Sequence, residues 1–363
     1  MLTLQLDKLR EYLSSVYKAD VEIRFVSELS RRRKPREKLK GFGYGVPYVI
    51  EFVADGEKKR VILETMRPEG FGHDHFSDRA QALLWQHSAY NKLPRHVHSV
   101  DVGAFTVDGN LKSAGDCIEF FIVTEMVEGR PYFRDLDRIR EQKSLSRLDK
   151  DRCQVLSDYV AQVHTLKREA PWLYTRRIRD LIGHGECIMG LIDSYPQGLE
   201  FVGEKGLREI EERCVEWRWK LKPKAHRLCQ VHGDFHPWNV LFRLGTDFTV
   251  LDRSRGEWGE PADDTSAMSI NYLFYSLQTY GELKGPFEIL FNLFWKNYLD
   301  KTGDEEMLTV IQPFYAWRGL VIASPIWYPH LTLDVRRKLF NFIKSVLQTE
   351  SLDLKGINSY IEG

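Results

Sequence analysis

The sequence predicts an α+β chain built as two lobes, a small β-rich N-terminal lobe (residues 1–126) and a larger, mostly helical C-terminal lobe (127–363). Three observations carry this reading. Residues 41–66 hold two apolar runs, Tyr48–Val53 and Val61–Leu63, separated by Asp55-Gly56, a hairpin turn signal. Beyond Gly129-Arg130-Pro131 the pattern changes, and residues 147–167 place Leu156, Val160 and Val163 at helical intervals. A chain of 363 residues is also long enough to build two cores.

The elements follow in order. The N-terminus, MLTLQLDKLREYL, carries charges among its apolar positions and reads as an amphipathic helix, not a signal peptide. The basic cluster SRRRKPREKLK (30–40) is either a solvated turn ahead of a strand or a patch for phosphate or a partner. Gly41, Gly43 and Gly45 then precede the first strand. A helix is expected from Ser77 to Ala89. Strands are expected at Val100–Thr106 and Ile118–Val123, joined across Asp108-Gly109-Asn110. Residues 205–222 read as a helix. Short strands at Cys229–Val231 and Phe248–Leu251 flank a loop, and the last hundred residues read as mostly helical. The aromatic stretch 313–329 is expected to build core, with Trp317, Arg318, Trp327 and Tyr328 as alternative pocket-lining residues.

Composition removes several function classes. Lysine and arginine total 52 and so do aspartate and glutamate, so no whole-chain charge argues for nucleic acid or an anionic membrane. The five cysteines include no C-x-x-C pair, which points to a reducing compartment and a cytoplasmic location. No uncharged apolar stretch is long enough to span a bilayer. His73-Asp74-His75 and His96-x-His98 contain ligand-type residues, but neighbours in sequence rarely face one point.

The chemistry concentrates in VHGDFHPWNVLF and the following FTVLDRSRGEWGEPADD. Phosphoryl transfer needs a carboxylate to orient or deprotonate the acceptor, oxygen ligands for Mg²⁺, and donors for the triphosphate. Asp234 can be the base. Asn239 follows five positions on, and Asp252 thirteen beyond that, at the end of a strand. A hairpin over that distance returns Asp252 to the side of Asn239.

His232-Gly233-Asp234 with Asn239 and Asp252 resembles the catalytic and metal-binding segment of the aminoglycoside phosphotransferase and choline kinase-like family, within the protein-kinase-like superfamily. Gly259-Glu260-Pro261-Ala262-Asp263-Asp264 resembles the Gly-Asp-Pro-x-x-Asp segment of that family. The resemblance implies a bilobal protein-kinase-like fold, ATP and Mg²⁺ as cofactors, and a hydroxyl on a small molecule as acceptor, such as an aminoglycoside, choline or a sugar. It implies Asp234 as catalytic base, Asn239 and Asp252 as metal ligands, and Asp264 opening a helix and bracing the loop. His232 is expected to brace the loop as well. His236 either touches substrate or phosphate or is inert. Arg253 and Arg255 either neutralise phosphate or pair with Glu257 or Glu260.

The nucleotide side rests on less. Gly41, Gly43 and Gly45 can bring backbone N–H groups to phosphates. The segment IVTEMVEGRPY resembles the family's inter-lobe hinge, which implies adenine contacts from the Glu125 carbonyl and the Val127 N–H. Ile62 is suited to cover the ring. The family usually has a Lys or Arg two residues beyond, and here Glu64 stands instead, expected on the same face, pointing into the cleft, and either neutralised by Arg67 or another base or coordinating a cation. That departure motivates the alternative of a nucleotide-binding pseudokinase or regulatory module. A protein kinase is disfavoured because GEPADD follows Asp252 too closely for a long activation segment. Oligomeric state is left open.

Overall fold

Leu9 and Leu13 lie on one face of the N-terminal helix and are buried, which is how the amphipathic pattern of α1 (Leu6–Tyr17) meets its sheet. The computed structural model describes residues 4–28, 45–68, 72–92 and 94–362. The chain divides into two compact units, Met1–Thr124 and Glu125–Gly363. The α+β class and two-lobed organisation are those the sequence predicts.

In the first unit, β1 (Val21–Glu28), β2 (Gly45–Ala54) and β3 (Glu57–Met66) form an antiparallel sheet in that order. Asp55 and Gly56 turn the β2–β3 hairpin with φ of 51° and 78°, the doubly left-handed turn that matches strand twist. Ile50, Phe52 and Ala54 face the α1 core, with Val61 and Leu63 packed against it. Strand alternation then sends Ile62 and Glu64 to the opposite, exposed face. The expected pairing of Glu64 with Arg67 is not formed: both are exposed, and neither makes an ion pair among the described residues. Water screens the carboxylate there, so no base is required.

Helix α2 (Phe76–Tyr90) begins at His75, whose ring accepts the Ser77 N–H while Asp78 accepts the His75 N–H. One expectation fails after it. β4 (Gly103–Phe105) pairs with β5 (Leu111–Ser113), not with Ile118–Val123, and residues 117–129 form no strand. The Asp108-Gly109-Asn110 turn closes on the nearest extended residues, the cheapest loop to close. Ile118, Phe121, Ile122 and Val123 are left exposed. The basic cluster 30–40, Gly41 and Gly43 lie outside the described residues.

The second unit is mostly helix. β6 (Arg130–Pro131) leads to α3 (Phe133–Gln142), α4 (Arg147–Val163), α5 (Pro171–Gly183), α6 (Ile188–Asp193) and α7 (Glu204–Leu221). Then come β7 (Cys229–Gln230), β8 (Val240–Phe242), β9 (Phe248–Val250) and β10 (Trp258–Gly259). Helices α8 (Ala262–Tyr280), α9 (Gly285–Thr302), α10 (Gln312–Ala323), α11 (Leu333–Gln348) and α12 (Ser359–Glu362) complete it. Helix α8 is buried at almost every position from Ala262 to Leu277, which accounts for its weak amphipathic pattern. Around it pack Phe287, Phe291, Phe294 and Trp295 of α9 and Phe314, Tyr315 and Trp317 of α10. The buried polar tips are satisfied: Trp295 Nε1 donates to the Tyr315 hydroxyl at 3.2 Å, and that hydroxyl lies 2.7 Å from Ser269 Oγ. The aromatic stretch 313–329 is core through α10, while Trp327 beyond it is exposed.

Helices α10 and α11 approach closely at Gly319, where an added Cβ would lie 2.8 Å from Ile343 Cγ1. Gly319→Val should therefore wedge the pair apart and destabilise the protein by about 1–3 kcal/mol. A lower urea midpoint with an unchanged transition slope is the expected reading; an unchanged midpoint would refute the tight approach.

Candidate active site

The candidate site lies in the second unit, on the chain between β7 and α8. Gly233 adopts φ of 85°, a conformation that side chains rarely tolerate. The turn it permits aims two successive backbone N–H groups at one carboxylate. His232 N donates to Asp264 Oδ2 at 2.8 Å and Gly233 N to Asp264 Oδ1 at 2.7 Å. Asp264 sits in the first turn of α8 and is fully buried. Its Oδ2 also lies 3.1 Å from His164 Nε2, and His164 Nδ1 is 2.9 Å from the Tyr298 hydroxyl. Burial opposes ionisation of Asp264, but the hydrogen bond and charge of His164, with the His232 N–H, outweigh it and hold the carboxyl below its ordinary range.

The His232 ring is buried, which pushes its pKa down, and Nδ1 accepts the Asp234 N–H at 3.3 Å. In this geometry His232 holds the loop. Asp234 is 9% exposed. Its Oδ1 accepts from Arg318 Nη1 at 2.5 Å, while Oδ2 lies 3.4 Å from both His236 Nε2 and Asn239 Nδ2. Burial works against ionisation of Asp234 as well. The His236 and Arg318 contacts overcome it and keep the group well below the usual carboxylate range.

Asn239 ends the short 3₁₀ turn Pro237–Asn239, and its Nδ2 donates to the Asp234 carbonyl at 3.0 Å. His236 caps that turn through Nδ1, which accepts the Trp238 N–H at 3.2 Å. β8 and β9 then form a hairpin with Val240 opposite Val250, and the Leu251 N–H closes it on the Asn239 carbonyl at 2.8 Å. Asp252 thus returns beside Asn239. It is exposed, with φ of 57°, and a non-glycine residue held in that region costs about 1 kcal/mol.

The two arginines after Asp252 are engaged within the protein. Arg253 donates to the Val231 carbonyl through Nε at 3.0 Å and Nη2 at 2.8 Å, and to the Glu257 carbonyl at 3.2 Å. Arg255 contacts Glu186 at 3.3 Å and lies over the Trp317 ring. The Glu260 carboxylate is held instead by Arg227 Nε at 2.8 Å and the Tyr174 hydroxyl at 2.8 Å, and Arg227 also binds Asp304. Sequence reading missed Arg227 and His164, and took Arg318 as part of a core stretch or, alternatively, of an acceptor pocket, without pairing it with Asp234. For Arg318 a signal existed: a charged residue inside a strongly apolar helical stretch needs buried partners. Asp263, beside Asp264, is the second partner of Arg318, at 2.6 Å; burial pushes it up to about 6 against the pull of Arg318.

The remaining sequence-predicted residues lie apart in the chain. Gly45 starts β2, Ile62 and Glu64 are on the exposed face of β3, and Glu125 and Val127 belong to the strandless stretch before β6. Among the described residues no three His, Cys, Asp or Glu side chains converge as a metal set, and His75 and His96 are engaged in local hydrogen bonds.

Asp264→Ala leaves two buried N–H groups unsatisfied, each costing about 1–3 kcal/mol, so it should destabilise the protein more than Asp264→Asn, which keeps an acceptor. The folded-state pKa is depressed, so the stability from ionised Asp264 is present above the ordinary carboxylate range and is lost as pH falls through the folded value. Denaturant titrations should show wild type and Asp264→Asn converging at acid pH. A constant gap would contradict this.

Residues 112–276 match the family model APH, described as the phosphotransferase enzyme family. No curated protein matches the chain significantly. Among solved structures, the chain is 17% identical to amicoumacin kinase hAmiN in complex with AMP-PNP, Ca²⁺ and Ami, with 89% of this chain and 92% of that one covered and a TM-score of 0.43. It is 12% identical to Plasmodium vivax ethanolamine kinase (93% and 80% covered, TM-score 0.34). It is also 12% identical to a glucosamine kinase (94% and 89% covered, TM-score 0.35). The matched segment contains the loop, the hairpin and the opening of α8, so the similarity to the phosphotransferase enzyme family covers the candidate site.

Proposed function

We propose that the protein transfers the γ-phosphoryl group of ATP to a hydroxyl of a small molecule, with Asp234 as the catalytic carboxylate and Asn239 and Asp252 holding Mg²⁺. The observation that carries this is the hairpin closure at Leu251 N–Asn239 O, which puts Asp252 beside Asn239 while the Asn239 amide bonds the Asp234 carbonyl. One amide and one carboxylate make a sparse ligand set. It fits magnesium, which keeps several waters and takes phosphate oxygens as further ligands. When bound, the ion neutralises charge on the transferring phosphate. Asn239 Nδ2 is committed to Asp234, so its Oδ1 is the atom offered to the metal. Asp252 supplies the charge from an exposed position.

Asp234 is kept ionised by its neighbours and is therefore a weak base. Phosphoryl transfer passes through a loose transition state, so its task is first to accept a hydrogen bond from the acceptor hydroxyl and aim its oxygen, and then to receive the proton late. Asp264 and His232 keep the loop that carries it in place. Nucleotide contacts are proposed, on the resemblance alone, for Gly41, Gly43, Gly45, Ile62 and Glu64 and for the main chain at Glu125 and Val127. His236, 27% exposed beside Asp234 Oδ2, would be the side chain that meets the substrate. All five cysteines are free, in keeping with a reducing, cytoplasmic setting. No described helix is long and apolar enough to cross a membrane. An ATP-consumption screen against alcohols, amino sugars and aminoglycosides would identify the acceptor.

Asp234→Asn should lower turnover by about 10²-fold or more while leaving Mg²⁺·ATP affinity nearly unchanged. Near-normal turnover in that variant would sink the assignment. Asp252→Ala should weaken Mg²⁺·ATP binding more than Asn239→Ala, because it removes a charge. Calorimetric titration decides: wild-type affinity in Asp252→Ala would mean that the metal is held elsewhere.

A further inference from the structure

Helix α10 is buried along almost its whole length, yet its centre carries a cation. Arg318 is 7% exposed and uses both arms of its guanidinium. Nη1 donates to Asp234 Oδ1 at 2.5 Å, and Nη2 donates to Asp263 Oδ1 at 2.6 Å and to the Gly233 carbonyl at 3.2 Å. The guanidinium carbon lies 3.9 Å from the centre of the Trp317 ring, and Trp317 Nε1 is tied to the Glu186 carbonyl at 3.2 Å. The fork is thus fixed in plane by two carboxylates and in height by a ring that cannot drift.

This arrangement makes the two oxygens of Asp234 unequal. An unrestrained carboxylate can rotate and exchange its oxygens. Here Oδ1 is clamped, and Oδ2, which faces His236 Nε2 and Asn239 Nδ2 at 3.4 Å, is left for another hydrogen bond. We propose that Arg318 is a positioning residue for phosphoryl transfer: by holding Asp234 Oδ1 it makes Oδ2 the oxygen that meets the acceptor hydroxyl. This rests on the reading of Asp234 given above. Phosphate binding is a poor alternative for Arg318, since both of its arms are already taken inside the protein. Lysine cannot replace it, because a single ammonium lacks the planar fork that joins Asp234 to Asp263.

The test is a double-mutant cycle on the full-length protein, read as hydrolysis of Mg²⁺·ATP with water as the acceptor hydroxyl. Arg318→Lys should lower kcat about tenfold in the wild-type background and less than about twofold in Asp234→Asn, because residues that act through one another are not additive. The KM for Mg²⁺·ATP should stay within about twofold, as expected when uniform binding is untouched. Equal losses of kcat in both backgrounds would mean that Arg318 only supports the fold, and would overturn the proposal. So would a raised KM at constant kcat, which would mark a phosphate ligand. Asp234→Asn turning over like wild type would instead remove the reading beneath it. Thermal midpoints of all variants are followed in parallel. Should Arg318→Lys not fold, Asp263→Asn loosens the second anchor while keeping the Arg318 charge, and the same background dependence is expected with a smaller loss.

Discussion

The site depends on one buried carboxylate accepting two adjacent backbone N–H groups. The two bonds from His232 and Gly233 to Asp264 fix the loop at the point where Gly233 turns the chain, and everything after that turn inherits its placement. Asp234 follows immediately, the 3₁₀ turn brings Asn239 back against it, and the hairpin returns Asp252. Asp264 is itself held by the helix it opens and by His164, so the reference point for the loop belongs to the core of the second unit. A loop exposed to solvent has many conformations, and this one is narrowed because its polar backbone groups have a buried destination.

Around that anchor, the charges are arranged in pairs that cross the sequence. Arg318 comes from α10, Arg227 from the turn before β7, and His164 from the end of α4, and each is matched with an acid of the 260–264 segment. Removing one partner of such a buried pair typically costs about 3–5 kcal/mol, far more than an exposed ion pair contributes. The segment GEPADD is thus tied to three other parts of the unit through Glu260, Asp263 and Asp264.

The loop was legible in the sequence because its function constrains local spacing. The steps from Asp234 to Asn239 and on to Asp252 match a turn followed by a hairpin, and short-range geometry of that kind survives in one dimension. The hairpin at Asp55-Gly56 was legible for the same reason, since both residues must take positive φ. Arg318 was not, because nothing local says that a residue of α10 should reach a loop more than eighty positions earlier; the pairing exists only once the helices pack. Ile118–Val123 shows the opposite failure. Its apolar run is strand-like, but a strand needs an edge to pair with, and Leu111–Ser113 took the edge of β4. Glu64 looked anomalous when read against a motif, and on the structure it is a solvated carboxylate on the exposed face of an edge strand.

Asp252 illustrates how backbone and chemistry can restrict one position independently. Its φ of 57° admits glycine, asparagine and aspartate at low cost and resists most other side chains. The metal role proposed for Asp252 would require a negative charge at the same place. Only one residue type lies in both sets. Glutamate would keep the charge and lose the backbone; asparagine would keep the backbone and lose the charge. The position therefore has an alphabet of one letter, although it is exposed and packs against little, and burial alone would have ranked it among the most replaceable residues of the chain.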